Sequence, residues 1–206
     1  MHQDTTRFIF NQLYSGVDGY RLSAAGKTRL AAEDKSLTYG EVSLESMVTI
    51  LATVEPSAGH IFYDLGAGTG KAVLLAALLA PFGEVRGIEI LDELYEKSQE
   101  VLERFETGVR PHLPEEQIGK IHFIKGDILH HDFSDGDVVL AQTTCFPENL
   151  MLDLEEKLEK LKPGSKVITL SQSLRSPLFE MTHSGKCRMG WGEATVFVHR
   201  KLDEGN

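Results

Sequence analysis

The sequence predicts an α/β fold, a mostly parallel sheet with helices on both faces, and three observations carry that expectation. From Tyr39 onward, short apolar runs of strand length alternate with longer stretches of helical periodicity. A glycine-rich loop, Asp64-Leu65-Gly66-Ala67-Gly68-Thr69-Gly70, joins one such run directly to a helical stretch. The end of the sequence, MTHSGKCRMGWG followed by ATVFVHRK, reads as two strands and not as another strand and helix. Alternation of this kind implies parallel strands linked by helical crossovers. Ligands of such sheets sit beyond the carboxyl ends of the strands, at the switch point.

Each element has its own reason. Residues 1–38 carry a broken helical pattern with glycines at Gly16, Gly19 and Gly26, and read as an N-terminal helical arm or lid ahead of a domain spanning 39–206. Val42 to Val54 places Val42, Met47, Val48, Ile50 and Leu51 near one helical face, and Pro56-Ser57-Ala58-Gly59 breaks it. HIFYDL, 60–65, is a strand; Lys71 to Leu79 is a buried helix rich in Ala and Leu. Glu84 to Ile90 is a second strand, followed by an amphipathic helix from Leu91 to Thr107 with Leu94, Ser98, Val101, Leu102 and Phe105 inward. Residues 108–120 read as a polar insertion, then Lys120 to Lys125 and Asp137 to Gln142 as strands. Glu148 to Leu161 is a helix with Leu150, Leu154, Leu158 and Leu161 on one face, stopped by Lys162-Pro163-Gly164, and Lys166 to Ser171 is a fifth strand.

Composition excludes several classes. The 206 residues suffice for one sizeable core. Hydrophobic residues at 41% and charged residues at 25% are globular values, which excludes wholesale disorder. A formal charge of −10 argues against a DNA-binding module with a basic face, and no strong direct nucleic-acid binding is expected. Two cysteines, Cys145 and Cys187, are too few for a disulfide scaffold and suggest a reducing compartment, cytoplasmic or nuclear. The longest apolar run, Ala72 to Phe82, is far short of the ~20 residues that span a bilayer. No signal-peptide pattern opens the chain, so an intracellular protein without membrane association is expected.

The chemistry centres on the glycine loop. Glycines at every second position let the backbone pass close to a ligand, and the helix that follows presents unpaired N–H groups. The spacing is G-x-G-x-G after an acid, not the G-x-G-x-x-G of dinucleotide sites, which makes a nucleotide-dependent oxidoreductase a distant reading. Glu89, at the end of the second strand, is placed to accept from both hydroxyls of a ribose. Asp127, just past the third strand in Gly126-Asp127-Ile128, is placed to accept from an exocyclic amine; the same local sequence also fits a turn or helix-cap aspartate. His130-His131 beside Asp132 has no third ligand at a recognisable spacing, so no metal site is expected.

Loop, strand-end acid and second acid, in this order, resemble class I methyltransferases that use S-adenosylmethionine, over residues 39 to 200. The resemblance implies a Rossmann-like sheet of seven strands with the last antiparallel. It implies that Asp64, Gly66, Gly68 and Gly70 hold the methionine part of the cofactor, Glu89 the ribose, and Asp127 with Ile128 the adenine. A narrower resemblance lies upstream. Tyr39-Gly40-Glu41 ahead of Asp64-Leu65-Gly66, together with Lys71 and the acid of GIEI, resembles the Dot (disruptor of telomeric silencing) family of histone lysine methyltransferases, in which the Tyr-Gly-Glu element caps the cofactor pocket. The segment ENLMLDLEEKLEKLKPGSKVITLS is similar to that family as well.

The chain departs from the family at one place. The family's strand on the acceptor side ends in an asparagine pair; here the segment is Ala141-Gln142-Thr143-Thr144-Cys145-Phe146. Phe146 keeps the aromatic residue, and Gln142 or Thr143 stands where the amide would be. Tyr39, Thr143 and Phe146 are therefore the expected acceptor-channel residues, with Glu41 holding the lid, although core packing is an equal reading for Phe146. Transfer to lysine in a basic protein is the leading expectation. A small-molecule acceptor and a cofactor-binding module without transfer are the alternatives.

Overall fold

A computed structural model describes residues 2–29, 35–114 and 118–203. The first two helices are α1 (Gln3–Leu13) and α2 (Gly19–Arg29), followed by α3 (Leu44–Ala52). Strand β1 (Ile61–Leu65), helix α4 (Lys71–Leu79), strand β2 (Glu84–Glu89), helix α5 (Asp92–Gly108) and strand β3 (Lys120–Lys125) form two successive parallel crossovers. Strand β4 (Val138–Ala141), helix α6 (Glu148–Leu158) and strand β5 (Lys166–Leu170) return on the other side of β1. The hairpin β6 (Phe179–Met189) and β7 (Gly192–Lys201) closes the sheet.

The strand order is β3-β2-β1-β4-β5-β7-β6. Strands β1 to β5 are mutually parallel, and β7 runs against both of its neighbours. The chain reverses its direction of travel between β1 and β4, so a crevice opens beyond Leu65 and Ala141, where ligands of doubly wound sheets lodge.

Alternation along each strand splits the core into two layers. Phe62, Val85, Phe123, Val138 and Ile168 face a layer shared with α1, α3, α4 and α5. Tyr63, Leu65, Ile88, Val139 and Val167 face Met151, Leu154 and Leu158 of α6. Helix α4 is apolar all round because it is enclosed: Ala72 through Leu78 are all buried between the sheet, α1 and α3.

The sequence expectations and the structure differ at two places for identifiable reasons. Helix α3 starts at Leu44 and not at Val42, because the Ser43 hydroxyl accepts from the Ser46 N–H and caps it. Leu150 does not join the α6 core stripe; Met151 takes that place and Leu150 turns to the crevice. In the N-terminal segment, α1 buries Thr6, Ile9 and Leu13 against the body and α2 packs along α5. Residues 30–34 of the N-terminal segment, and 115–117 of the 108–120 insertion, lie outside the described residues. Among the described residues no helix is long and apolar enough to cross a membrane.

Candidate functional site

A cavity of about 330 Å³ occupies the crevice at the carboxyl ends of the strands. Gly66, Glu89, Asp127 and Gln142 border it from the ends of β1, β2, β3 and β4 respectively. The segment 36–40 and the start of α6 form the remaining walls.

The glycine loop is built as its sequence requires. Gly66, Gly68 and Gly70 have φ of 88°, 55° and 85°, and their left-handed turns carry the chain from β1 into α4 in five residues, 66–70. The N–H groups of Gly66 and Ala67 both donate to the Ile88 carbonyl at 2.9 Å, which ties the loop to β2. At Gly68 a Cβ would lie 2.5 Å from Cε2 of Tyr39, so only glycine lets that ring rest on the loop.

Two carboxylates lie beneath this turn in different circumstances. Glu89 is satisfied: Oε2 accepts the Gly68 N–H at 2.7 Å, and Oε1 accepts the Leu91 N–H at 2.8 Å. Burial raises its pKa, and those backbone donors oppose the rise. Asp64 is fully buried, and neither carboxylate oxygen has a hydrogen-bond partner among the described residues. Burial pushes its pKa well above the ordinary 3.8, and the Glu89 charge adds to the shift. An orphaned buried carboxylate is costly unless something pairs with it, so this spot is prepared for a cationic or hydrogen-donating group. That arrangement fits the amino group of an amino-acid cofactor.

The Tyr39-Gly40-Glu41 element lies across the loop. Tyr39 lines the cavity; its hydroxyl donates to Glu41 Oε1 at 2.9 Å and lies 3.0 Å from Thr69 Oγ1. Lys71, the first residue of α4, pairs with Glu41 Oε2 at 2.6 Å, and its ammonium lies 5.3 Å from the centroid of the Tyr14 ring. Tyr14 in turn donates to the Thr69 carbonyl at 3.1 Å. Burial, then the Glu41 charge, raises the Tyr39 phenol far above its usual value, so it remains neutral. The turn of the β6–β7 hairpin braces this element: the Gly190 N–H donates to the Glu41 carbonyl at 3.0 Å, and the Trp191 ring lies against Gly40.

At the far end, Asp127 Oδ1 accepts the Leu129 N–H at 2.8 Å, which is the turn geometry, yet Asp127 and Ile128 both border the cavity. Gln142 and Phe146 border it beyond β4. Thr143 does not: it is buried and donates to the Leu170 carbonyl at 2.7 Å, so its hydroxyl is already committed. Of the residues singled out from sequence, Tyr39, Gly66, Glu89, Asp127, Ile128, Gln142 and Phe146 gather around the cavity. Asp64, Gly68 and Gly70 lie under or behind its wall, and Glu41 and Lys71 act on Tyr39 from outside it.

Sequence reasoning missed Leu37, Asn149, Leu150 and Asp153 in the wall and Tyr14 behind it. Asn149 and Asp153 are four apart on one face of α6, a spacing that marks a shared face without saying what it meets.

Comparison with known proteins places this site in context. The family model described as histone methylation protein DOT1 matches residues 23–188. A Gibberella zeae protein named "Histone-lysine N-methyltransferase, H3 lysine-79 specific" is 28% identical over 179 residues, covering 82% of this chain and 34% of its own length. A Saccharolobus islandicus "Protein-lysine N-methyltransferase" is 28% identical over 158 residues, covering 76% of this chain and 80% of its own. The chain thus spans about a third of the length of the first relative and most of the second. Solved structures share the fold: TrmN from Thermus thermophilus at TM-score 0.59 and 23% identity over 82% of this chain and 52% of its own, and the [4+2]-cyclase SpnF at 0.62 and 12% over 89% and 94%. A variant of MtNAS in complex with S-adenosylmethionine superposes at 0.58 with 14% identity, over 90% of this chain and 74% of its own. A cyclase among the neighbours shows that this fold alone does not determine the reaction. The family model covers most of the chain, which therefore belongs to the DOT1 histone methylation protein family.

Proposed function

We propose that this protein binds S-adenosylmethionine in the crevice and transfers its methyl group to the side-chain amine of a lysine in a basic protein. The observation that carries the reading is the orphaned Asp64 carboxylate under a glycine loop whose next anchor is Glu89. The named activities of the Gibberella and Saccharolobus relatives, both lysine methyltransferases, support the acceptor.

When bound, the cofactor supplies an electrophilic methyl on a sulfonium. Asp64, fully buried behind the cavity wall, would supply two unpaired acceptors to its amino group once the wall opens over it. Each Glu89 oxygen already takes one backbone N–H and keeps a lone pair for a ribose hydroxyl. Asp127 would accept from the exocyclic amine of the adenine, with Ile128 and Leu150 as apolar residues of the same cavity wall. Tyr39, Gln142 and Phe146 bound the side where the acceptor enters, and their work is to orient the amine and exclude water. Thr143 positions this turn through Leu170 and does not touch the acceptor. The lysine must arrive neutral, from a reference pKa near ~10.4. A second positive charge held at the glycine loop favours that deprotonation. Residues 1–38 serve as an N-terminal helical arm or lid on a methyltransferase domain spanning 39–206. With free thiols at Cys145 and Cys187, the protein works inside the cell, in cytoplasm or nucleus.

The test is incubation of the protein with methyl-labelled S-adenosylmethionine and a panel of histones, other basic proteins and small-molecule extracts. Label on lysine side chains is the expected result. Label confined to small molecules overturns the lysine acceptor, and tight cofactor binding with no transfer to any component overturns the enzyme.

A further inference from the structure

The turn that carries Phe146 is held from a neighbouring strand, and the residue that holds it was not singled out by its sequence context. Residues 143–145 form a single 3-10 turn after β4, closed by the Phe146 N–H donating to the Thr143 carbonyl at 3.0 Å. Gln172, just past β5, braces the turn from outside: its Nε2 donates to the Phe146 carbonyl at 2.9 Å and, as a second donor, to the Thr143 carbonyl at 2.5 Å. The Thr144 and Ser171 hydroxyls meet at 3.0 Å, and Thr143 reaches the Leu170 carbonyl at 2.7 Å.

The holding side is itself fixed. Ser171 sits at φ 65°, a left-handed conformation that a non-glycine residue seldom adopts, and its N–H donates to the Thr195 carbonyl at 2.7 Å. The Thr169 hydroxyl donates to the Gln172 carbonyl at 2.6 Å. Residues 169–172 thus present the Gln172 amide in one orientation, with both amide hydrogens aimed at the turn that frames the acceptor side. Sequence reading sought an amide within Gln142-Thr143; the amide that serves the turn comes from thirty residues further along the chain, across β5.

We infer that Gln172 is a positioning residue for the acceptor: it fixes the backbone that points Phe146 into the cavity, and through Phe146 it sets how tightly the incoming chain is aligned. The inference rests on the proposed methyl transfer for its kinetic consequence, though not for its structural one. Gln172 does not border the cavity, and its amide is spent on the turn, so cofactor affinity is expected to change little when it is replaced.

The test compares wild type with Gln172→Leu, which keeps the bulk and removes the donors, and Gln172→Glu, which places a carboxylate against two carbonyls at neutral pH and regains an O–H donor when protonated. Three readouts apply: hydrogen exchange of the amides from 143 to 149, calorimetric affinity for S-adenosylmethionine, and steady-state kcat and KM on a basic protein. Expected for Gln172→Leu are exchange at least about tenfold faster confined to 143–149, cofactor affinity within about twofold of wild type, and kcat/KM for the protein lowered about tenfold. Gln172→Glu regains exchange protection as pH falls, a reversal that lost packing alone does not produce. Unchanged exchange in Gln172→Leu overturns the inference, as does cofactor affinity falling in parallel with activity. A wild-type protein that transfers no methyl overturns the proposed function instead, and the exchange measurement still decides whether Gln172 holds the turn.

Discussion

The two halves of the crevice are built in opposite ways. On the side of β1, β2 and β3, the parts are a five-residue turn at 66–70, one strand-end glutamate and one strand-end aspartate, each next in sequence to the strand that positions it. On the side of β4 and β5, the wall is assembled from Tyr39, Gln142, Phe146 and the face of α6, with support from Gln172 and the hairpin turn at Gly190. On the proposed reading, the first half holds a common group and needs few residues in fixed order. The second would recognise the methyl acceptor, and it is put together from segments far apart in the chain. Variation can therefore collect in the second half while the chemistry of the first stays intact.

If that division is right, changes in the first half weaken cofactor binding most. Glu89→Ala removes both ribose acceptors and leaves the Gly68 and Leu91 N–H groups without partners; calorimetry should show affinity for S-adenosylmethionine reduced about 100-fold or more. Gly68→Ala drives a methyl into the Tyr39 ring and should weaken binding to a similar extent, about 100-fold, by displacing the ring or the loop. Affinity within twofold of wild type in both variants would remove the cofactor from this half.

Asp64→Asn separates function from stability within the same half. It should weaken cofactor binding about tenfold while stabilising the free protein by about 1–3 kcal/mol, because an unpaired buried carboxylate is replaced by a neutral amide. The pH dependence has a definite sign. The folded-state pKa of Asp64 is raised, so its contribution to stability is fully present below the unfolded value near ~3.9 and is lost as pH rises through the folded value. Urea unfolding across that range should show the free wild type losing stability with rising pH more steeply than Asp64→Asn does. Equal slopes would mean that Asp64 has found a partner.

Smaller effects are expected at the seam between the halves. Tyr39→Phe loses the hydroxyl contacts to Glu41 and Thr69 and keeps the ring over Gly68, so kcat/KM should fall only about fivefold, with KM for the protein acceptor carrying part of the change. The smallest is electrostatic: with a net charge of −10, KM for a basic protein should rise a few-fold from 0.05 to ~0.3 M salt as screening shortens the range of attraction, while cofactor affinity stays level. Salt-independent KM would leave the charge balance without a role in capture.

The same division explains what could be read in the sequence. The order of strands and helices, the glycine loop, Glu89 and Asp127 were legible because periodicity and local spacing encode them. Gln172, Tyr14 and the α6 residues Asn149 and Asp153 were not, because their meaning arises from contacts between distant segments. Thr143 shows the limit within a single segment: its neighbours Gln142 and Phe146 border the cavity, yet its hydroxyl donates to the Leu170 carbonyl instead. Leu150 shows it for a helix: apolar spacing placed the residue in the core, but the helix also borders the crevice, and a leucine serves either face.

The most direct measurement is calorimetry of S-adenosylmethionine binding to wild type and Asp64→Asn, repeated below neutral pH in buffers of different ionisation enthalpy. Burial raises the Asp64 pKa, so any proton its carboxyl carries must leave when it takes a cationic amino group. Wild type is expected to bind with release of protons that diminishes as pH rises, and Asp64→Asn to bind more weakly with that release gone. Equal affinity and equal proton release in the two proteins would contradict the assignment of this crevice to the cofactor.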